Sequence, residues 1–139
     1  MKPQLFKTKI AKDLRGSVSF MNELNLSKVK RFYIVQNNQN KFIRAWHGHM
    51  KEEKFMICIK GKALIKAVKI SNTKKPSKKS KIFSFKLDAL SSNFVHIPAG
   101  YANGTQSLSK DMKLLVLSSS SLKNSIKDDF RYPKNYWKF

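Results

Sequence analysis

The sequence is poor in cysteine and has no long apolar run, and both shortages exclude classes of protein. A single cysteine, Cys58, cannot support a disulfide-bonded scaffold, so we expect a reducing compartment. No apolar run approaches the roughly twenty residues that a membrane-spanning helix requires. The N-terminal residues Met1–Leu5 lack the apolar core of a signal peptide. These features predict a cytoplasmic protein without a membrane partner.

Acidic residues are also scarce: 8 Asp and Glu stand against 29 Lys and Arg, for a formal net charge of +21. Such a charge can attract nucleic acid. The lysines are scattered through nearly every segment, however, and the densest cluster, residues 74–81, is a loop containing Pro and Ser. The sequence shows no helix-turn-helix, zinc-finger or RNA-recognition motif. We therefore predict no nucleic-acid partner, whereas a sugar bearing a diphosphate would be attracted by the same potential.

Apolar residues are present in ordinary amounts. Hydrophobic residues make up 41% and aromatic residues 12% of the chain, which is typical of globular proteins rather than of disordered ones. A chain of 139 residues is long enough for one domain with its own core, so we predict a single domain over residues 1–139. Cys58 lies in an apolar segment and is expected to be buried.

Short segments rich in β-branched and aromatic residues run through the whole chain, separated by Gly, Asn and Pro turns. Many short strands at close spacing are typical of a sandwich or a jelly-roll barrel. Helix is limited to a turn near Asn22–Ser27 and a piece in Ser121–Asp128. The predicted fold class is therefore all-β, an antiparallel jelly-roll barrel. The predicted strands are Leu5–Lys9, Ser17–Met21, Val29–Gln36, Lys41–His49, Phe55–Lys60, Ala63–Ile70, Ile82–Leu87, Phe94–Ile97 and Met112–Ser118.

Two of the three histidines, His47 and His49, lie close together in a segment with the composition of a strand. Alternate residues of a strand point to the same face, so the two imidazoles should project together. Such a pair either binds a metal ion or transfers protons as a general acid and base. Two half-exposed histidines without a function are the plain alternative.

A series of short motifs spans nearly the whole chain: Asp13-x-Arg15-Gly16, Lys30-Arg31-Phe32-Tyr33, Arg44, His47-x-His49-x-x-x-Glu53, Gly61, Ile97–Gly104, Leu114–Leu117 and Asp128–Tyr132. Their order resembles the cupin enzymes that act on nucleotide-linked 4-keto-6-deoxy sugars. The resemblance implies a cupin barrel and a metal-independent isomerase whose substrate is a dTDP-linked 4-keto-6-deoxyhexose. It also implies a place in deoxysugar biosynthesis for a cell-surface polysaccharide.

The motifs are similar to two branches of these cupins. Chain length, the second histidine His49 and the acidic-aromatic tail favour the 3,4-ketoisomerases. The turn Ile97–Gly104 is more similar to that of the 3,5-epimerases, but Asn103 stands where they have histidine, and Ala45 departs from both branches. We predict the 3,4-ketoisomerase, which moves a proton through an enediol. The 3,5-epimerase and a non-catalytic nucleotide-sugar-binding cupin are the alternatives.

The resemblance also implies catalytic roles. A C4 ketone acidifies the hydrogen on C3, but the reaction still needs a base and stabilisation of the developing charge. We expect His49 to carry the proton, with His47 orienting the substrate or sharing the role. Tyr33 is the candidate for a hydrogen bond to the reacting oxygen.

Further residues are candidates for binding the substrate. Arg31 shares a strand face with Tyr33 and could pair with the diphosphate. Arg44 has the opposite strand parity from His47, so it reaches the cavity only if a β-bulge intervenes. Glu53 could orient His49. At the mouth of the pocket, the expected residues are Tyr101 and Asn103.

A metal-binding cupin would use His47, His49, Glu53 and a later histidine. Imidazole and carboxylate ligands in that arrangement suit zinc, iron and manganese. Asn103 occupies the place of the later histidine, and an amide oxygen is a poor substitute for imidazole. We therefore expect no catalytic metal and no cofactor.

The apolar strand Phe55–Ile59 bears on assembly. The cupins that the chain resembles commonly dimerise through their strands. We therefore expect a homodimer.

Overall fold

The computed structural model describes every residue from Met1 to Phe139, and nearly all regular structure is β-strand. The strands form two five-stranded antiparallel sheets, ordered β1-β9-β6-β11-β4 and β12-β5-β10-β7-β8, and a separate β2-β3 hairpin. Two such sheets packed face to face are the jelly-roll arrangement, so the predicted fold class is confirmed. The elements are β1 (Gln4–Phe6), β2 (Lys9–Asp13), β3 (Gly16–Phe20), β4 (Arg31–Gln36), β5 (Ile43–His49), β6 (Lys54–Lys60), β7 (Lys62–Lys69), β8 (Ile82–Asp88), β9 (Phe94–Ile97), β10 (Tyr101–Ser107), β11 (Lys113–Ser118), α1 (Leu122–Lys127) and β12 (Phe130–Arg131).

Most predicted strands are confirmed, with small shifts at their ends. The prediction of one strand over Leu5–Lys9 was wrong, because β1 ends at Phe6 and β2 begins at Lys9. The strand β10 was not predicted at all, although it lies between β5 and β7 and pairs with both. Its sequence, YANGTQS, is rich in small and polar residues with low strand propensity, so tertiary pairing rather than local preference makes it a strand.

The predicted helix in Ser121–Asp128 is confirmed as α1. The hydroxyl of Ser121 caps it by accepting a hydrogen bond from the Asn124 N–H, the usual role of serine at a helix start. Asn22–Ser27 contains turns and no helix. No helix in the structure has the length and apolar character needed to cross a bilayer.

The main core lies between the two sheets. Alternate residues of strands from both sheets meet there, as the period of a strand dictates. Cys58 is 2% exposed and belongs to this core, as predicted. The buried members are Met56, Cys58, Ala63, Ile65, Ala67, Leu87, Val95, Ile97, Tyr101, Met112, Leu114 and Val116.

A second apolar cluster covers the other face of the second sheet. Trp46, from β5, packs there against Trp137 and Phe139 of the C-terminal tail, with ring centroids 5.4 Å apart in both pairs. The tail also binds the lysine-rich loop, since Tyr136 Oη donates to the Pro76 carbonyl and Trp137 Nε1 donates to the Ser77 carbonyl. The aromatic rings of the tail therefore cover a sheet face.

Candidate active site

A cavity of about 310 Å³ opens between the two sheets, and its lining is unusually polar for the inside of a sandwich. Its volume is within the range of small-molecule sites, which begins at roughly 300 Å³. Strands β4, β5, β6, β10 and β11 supply its walls. The polar lining residues are Tyr33, Arg44, His47, Lys54, Asn103 and Thr105, and the apolar lining includes Val35, Met56 and Val116.

A β-bulge in β5 brings Arg44 and His47 into this cavity together. His47 pairs with Asn103 of β10, but Arg44 pairs with Thr105, so two residues of β5 oppose Gly104 alone. The extra residue reverses the alternation of the strand, and side chains three positions apart then share a face. The bulge on which the prediction for Arg44 depended is thus present.

The imidazole of His47 lies in the cavity wall as a half-buried group. Burial lowers the pKa of His47, and the positive charges of Arg131 and Lys54 act in the same direction. The neutral imidazole, which can accept a proton, is therefore the form at neutral pH. Asn103 Nδ2 donates a hydrogen bond to the His47 carbonyl at 3.2 Å and holds the two strands together at this point.

His49 is buried on the same strand but is not part of the cavity lining. Its Nδ1–H donates to the Asp128 carbonyl at 2.7 Å, and its Nε2 lies 3.1 Å from Glu52 Oε2. The carboxylate of Asp128 accepts hydrogen bonds from the N–H groups of Met50, Lys51 and Glu52. Asp128 therefore fixes both the His49 ring and the turn that follows it. Burial, followed by the charge of Lys54, lowers the pKa of His49.

Glu52 is the centre of a buried charged cluster behind the cavity wall. Its Oε1 accepts hydrogen bonds from Arg31 Nη2 at 3.2 Å and from Ser118 Oγ at 2.5 Å. Lys54 Nζ is 3.6 Å from Oε2, close enough for an ion pair but not for a hydrogen bond. Burial alone would raise the pKa of Glu52, but the Ser118 hydrogen bond and the charge of Lys54 outweigh it and lower that pKa. The carboxylate is therefore ionised at neutral pH.

Tyr33 and Arg31 share one face of β4, as predicted, and the Arg31 guanidinium lies 5.1 Å from the centre of the Tyr33 ring. Burial, together with the negative charge of Glu52, raises the pKa of Tyr33 to about 12. The phenol thus keeps its proton and can donate it in a hydrogen bond. Arg31 binds inside the protein, because it donates also to the Ser120 carbonyl and to Ser125 Oγ. It does not line the cavity.

Two further predicted site residues, Glu53 and Tyr101, also lie outside the cavity lining. Glu53 faces away from the cavity, and its Oε2 is 2.8 Å from Nε2 of His96, whose ring stacks on Phe55. This pair borders a separate cavity of about 300 Å³ that His49 does not reach. Tyr101 belongs to the main core, where its ring meets Phe83 edge-on at 6.1 Å.

The sequence did not predict a role in the site for three residues: Lys54, Glu52 and Asp128. For Lys54 a signal existed, because it is two and four positions before Met56 and Cys58, which face inward on the same strand. No pattern marked Glu52, and Asp128 was noted only as the first residue of the motif Asp128–Tyr132, without a role. No three His, Cys, Asp or Glu side chains converge in a way that could hold a metal ion.

A family model described as "WxcM-like, C-terminal" (FdtA) matches residues 1–139, the whole chain. No protein with a curated function matches the chain in sequence.

Solved structures share the fold at low sequence identity. A variant of the 3,4-ketoisomerase QdtA from Thermoanaerobacterium thermosaccharolyticum, in complex with TDP-4-keto-6-deoxyglucose, superposes with a TM-score of 0.72 at 20% identity, over 97% of this chain and 91% of that one. A 3,4-ketoisomerase from Helicobacter canadensis has a TM-score of 0.72 at 21% identity, over 98% and 95%. The Mycobacterium tuberculosis rmlC epimerase has a TM-score of 0.79 at 14% identity, over 96% and 70%.

Proposed function

The chain belongs to the WxcM-like, C-terminal family, and on that premise we propose that it is a metal-independent isomerase of a dTDP-linked 4-keto-6-deoxyhexose. We assign it 3,4-ketoisomerisation. The observation that carries the proposal is the cavity between the sheets, where a neutral imidazole, a protonated phenol and the amino group of Lys54 line one space. The two 3,4-ketoisomerases described above share the fold that positions this cavity.

The chemistry needs a base, a proton donor and a positive charge. His47 removes the proton from C3, and the electron pair of that bond forms the C3–C4 double bond of an enediolate while the C4 carbonyl oxygen becomes negative. Lys54 Nζ and the Tyr33 hydroxyl stabilise that oxygen. The proton then returns from His47 to C4, and the hydroxyl proton moves from O3 to O4. The product is the 3-keto sugar, with no net gain or loss of atoms or electrons.

The two histidines have different surroundings, and this decides their assignment. His49 was expected to be the shuttle, but its nitrogens face Asp128 and Glu52 rather than the cavity. We therefore assign the contact with the sugar to His47, and to His49 the support of the cavity wall behind it. Exchange of the two roles leaves the reaction class unchanged.

Arg44 is the candidate ligand of the diphosphate. Its guanidinium lines the cavity at an exposed position, and its Nε donates to Asn37 Oδ1 at 2.6 Å. This bond orients the guanidinium and leaves both terminal nitrogens available. Arginine can then donate two parallel hydrogen bonds to phosphate oxygens.

Incubation with dTDP-4-keto-6-deoxyglucose in deuterated water, followed by NMR of the sugar, tests the proposal. A 3-keto product that carries solvent deuterium at C4 supports ketoisomerisation. Deuterium at C3 and C5 with inverted configuration indicates the epimerase instead. Neither exchange nor a 3-keto product, with retained nucleotide-sugar binding, indicates a non-catalytic binder. The His47→Asn variant is the control for exchange that the buffer catalyses.

One observation favours the epimerase as the second candidate. Tyr33 belongs to β4 of the first sheet and His47 to β5 of the second, so they line the cavity from opposite walls. Epimerisation requires a base on one face of the sugar and an acid on the other. The pattern of deuterium incorporation separates the two reactions.

We also propose a homodimer in the cytoplasm that serves deoxysugar biosynthesis for a cell-surface polysaccharide. Support for the dimer comes from the outer face of the first sheet. Two apolar rows cross three neighbouring strands there, and Phe32 and Ile34 at their ends are 66% and 50% exposed. The rows are Phe32-Leu117-Phe55 and Ile34-Leu115-Ile57. A second copy of the chain can bury this face with its own, because two identical flat apolar faces form a self-complementary contact.

A further inference from the structure

The carboxylate of Glu52 is wholly buried, yet one of its oxygens makes no hydrogen bond. The Glu52 side chain is 0% exposed, and Oε1 carries the bonds from Arg31 and Ser118. Oε2 has no hydrogen-bond partner, although Lys54 Nζ is 3.6 Å away and His49 Nε2 is 3.1 Å away. Burying a carboxylate oxygen without a hydrogen bond costs free energy unless a nearby positive charge compensates for it. The negative charge of Oε2 therefore acts on the neighbouring groups electrostatically rather than through a hydrogen bond.

Lys54 is the neighbour that links this charge to the cavity. Its side chain is 7% exposed and it lines the cavity, whereas Glu52 lies behind the wall. A buried ammonium group tends to lose its proton because burial disfavours the charged form. The charged and titratable groups that face Lys54 are Arg31 and Tyr33 on β4, His47 and His49 on β5, Glu52 in the turn before β6, and Asp129 after α1.

Among these groups Glu52 is the anion best placed to keep Lys54 charged. Asp129 forms its own ion pair with Arg131 Nε at 2.9 Å, and Arg31 repels the ammonium group. The two histidines are neutral at neutral pH, because burial lowers the pKa of each.

We propose that Glu52 is a positioning residue, the buried counter-ion that keeps the Lys54 ammonium group charged at the cavity wall. This inference rests on the proposed function, in which Lys54 stabilises the negative oxygen of the enediolate. Glu52 does not touch the sugar. It acts through Lys54, and the effect of its charge is therefore greatest where Lys54 would otherwise lose its proton.

The test compares Glu52→Gln with Glu53→Gln. The first change removes the buried charge and keeps the shape and the hydrogen-bonding capacity of the side chain. The second removes the adjacent carboxylate, which faces His96 on the other side of the sheet. The first readout is the titration of Lys54 by NMR of ¹³C-labelled lysines, with the signal assigned from the Lys54→Met variant. We expect Glu52→Gln to move the titration of Lys54 to lower pH and Glu53→Gln to leave it in place.

The second readout is the pH profile of turnover. In Glu52→Gln, kcat should fall at least about tenfold in the alkaline range, the scale of a weakened oxyanion contact. The KM and the binding of thymidine diphosphate should change little. Adding Glu52→Gln to Lys54→Met should cause no further loss of kcat, because the residue through which Glu52 acts is then absent.

Several outcomes would overturn the inference. An unchanged Lys54 titration in Glu52→Gln would do so, as would a further loss of kcat in the double variant. If Glu52→Gln does not fold, the double variant Glu52→Gln/Lys54→Met, which lacks both charges, should still fold as well as Lys54→Met. If the double variant does not fold either, Glu52 serves only Arg31 and Ser118, and the inference is wrong. The NMR titration needs no substrate, so it decides this inference even if the proposed reaction is not observed.

Discussion

Arg44 and His47 line the same cavity from one strand although they are three positions apart, because Ala45 and Trp46 together oppose the single residue Gly104. The bulge turns Ala45 and Trp46 toward the C-terminal tail, where Trp46 packs on Phe139. The placement of the two cavity residues therefore depends on packing at the opposite face of the sheet. A change at that face should be detectable in the cavity.

Gly104→Ala should disturb this arrangement. A Cβ atom at position 104 would come within 2.7 Å of Ala45 Cβ and 2.6 Å of Phe139 Cε2. We expect a loss of about 1–3 kcal/mol of unfolding free energy, the usual cost of overpacking, together with reduced turnover. Chemical denaturation and steady-state kinetics measure the two effects.

Ala45→Gly in the same chain is the control, because it removes one of the two collisions. The double variant Ala45→Gly/Gly104→Ala should be more stable than Gly104→Ala alone. If the two are equally unstable, the contact between positions 45 and 104 is not the cause.

Replacement of each histidine by asparagine separates the two imidazoles. His47→Asn should lower turnover by roughly 10²–10⁴-fold, the scale of a lost general acid–base group, and leave the binding of thymidine diphosphate intact. His49→Asn should have the smaller catalytic effect and the larger effect on stability, because it breaks the contact with Asp128. Unfolding and isotope exchange from solvent are measured on both variants. The reverse order would restore His49 as the shuttle, and no effect of either on exchange would remove the histidine pair from the mechanism.

The acid limb of the pH profile should reflect the buried state of His47. Its pKa lies below the ordinary 6.5 because of burial and the charges of Arg131 and Lys54. As pH falls, half of the base is protonated only below pH 6.5, so the acid limb of kcat/KM should have its midpoint below 6.5. Stability should change in the same direction. The contribution of His47 to the free energy of unfolding is fully present above 6.5, its ordinary pKa in the unfolded chain, and is lost as pH falls through its pKa in the folded protein. A midpoint of the acid limb at or above 6.5 would contradict this assignment.

The sequence predicted the strands whose composition is favourable and failed where pairing overrides composition. The composition of Ala63–Ile70 and Phe94–Ile97, rich in apolar and β-branched residues, was sufficient, because each strand buries one face or both. The central strand β10 was missed, because Asn103 and Gly104 are poor strand formers that two neighbouring strands hold in place.

For the candidate site, strand parity predicted which side chains share a face, whereas the residues in turns could not be placed from the sequence. Parity placed Tyr33 beside Arg31, and it identified the bulge as the condition for Arg44. The partner of His49 could not be chosen in this way. Glu52 and Glu53 are adjacent, and only the direction of the chain after β5, which Asp128 sets through three backbone hydrogen bonds, decides which of them turns inward.

Arginine-to-alanine changes should separate a structural arginine from a binding one. Arg31→Ala leaves the buried Glu52 without one of its partners, and we expect a loss of about 2–4 kcal/mol of unfolding free energy. Arg44→Ala should leave stability nearly unchanged and weaken binding of thymidine diphosphate by about 1.5–3 kcal/mol, the scale of a lost charge-assisted hydrogen bond. Chemical denaturation and titration calorimetry give the two values. An Arg31→Ala variant that is fully stable but binds thymidine diphosphate poorly would return the diphosphate to Arg31.

Assembly is tested on the apolar rows of the first sheet. Phe32 lies at the sheet edge on β4 and is 66% exposed, so Phe32→Glu places a charge in the proposed contact without touching the core. The matched control is Leu90→Glu, at an 88% exposed residue in the loop between β8 and β9. The chain mass is 16.1 kDa, so the native protein and the control should sediment as a species of twice that mass and Phe32→Glu as the monomer. Burial of the face against a second copy explains why an otherwise lysine-rich surface keeps two apolar rows, since such rows are costly in water. A native protein that sediments as a monomer across micromolar concentrations would leave the rows without that explanation and contradict the dimer.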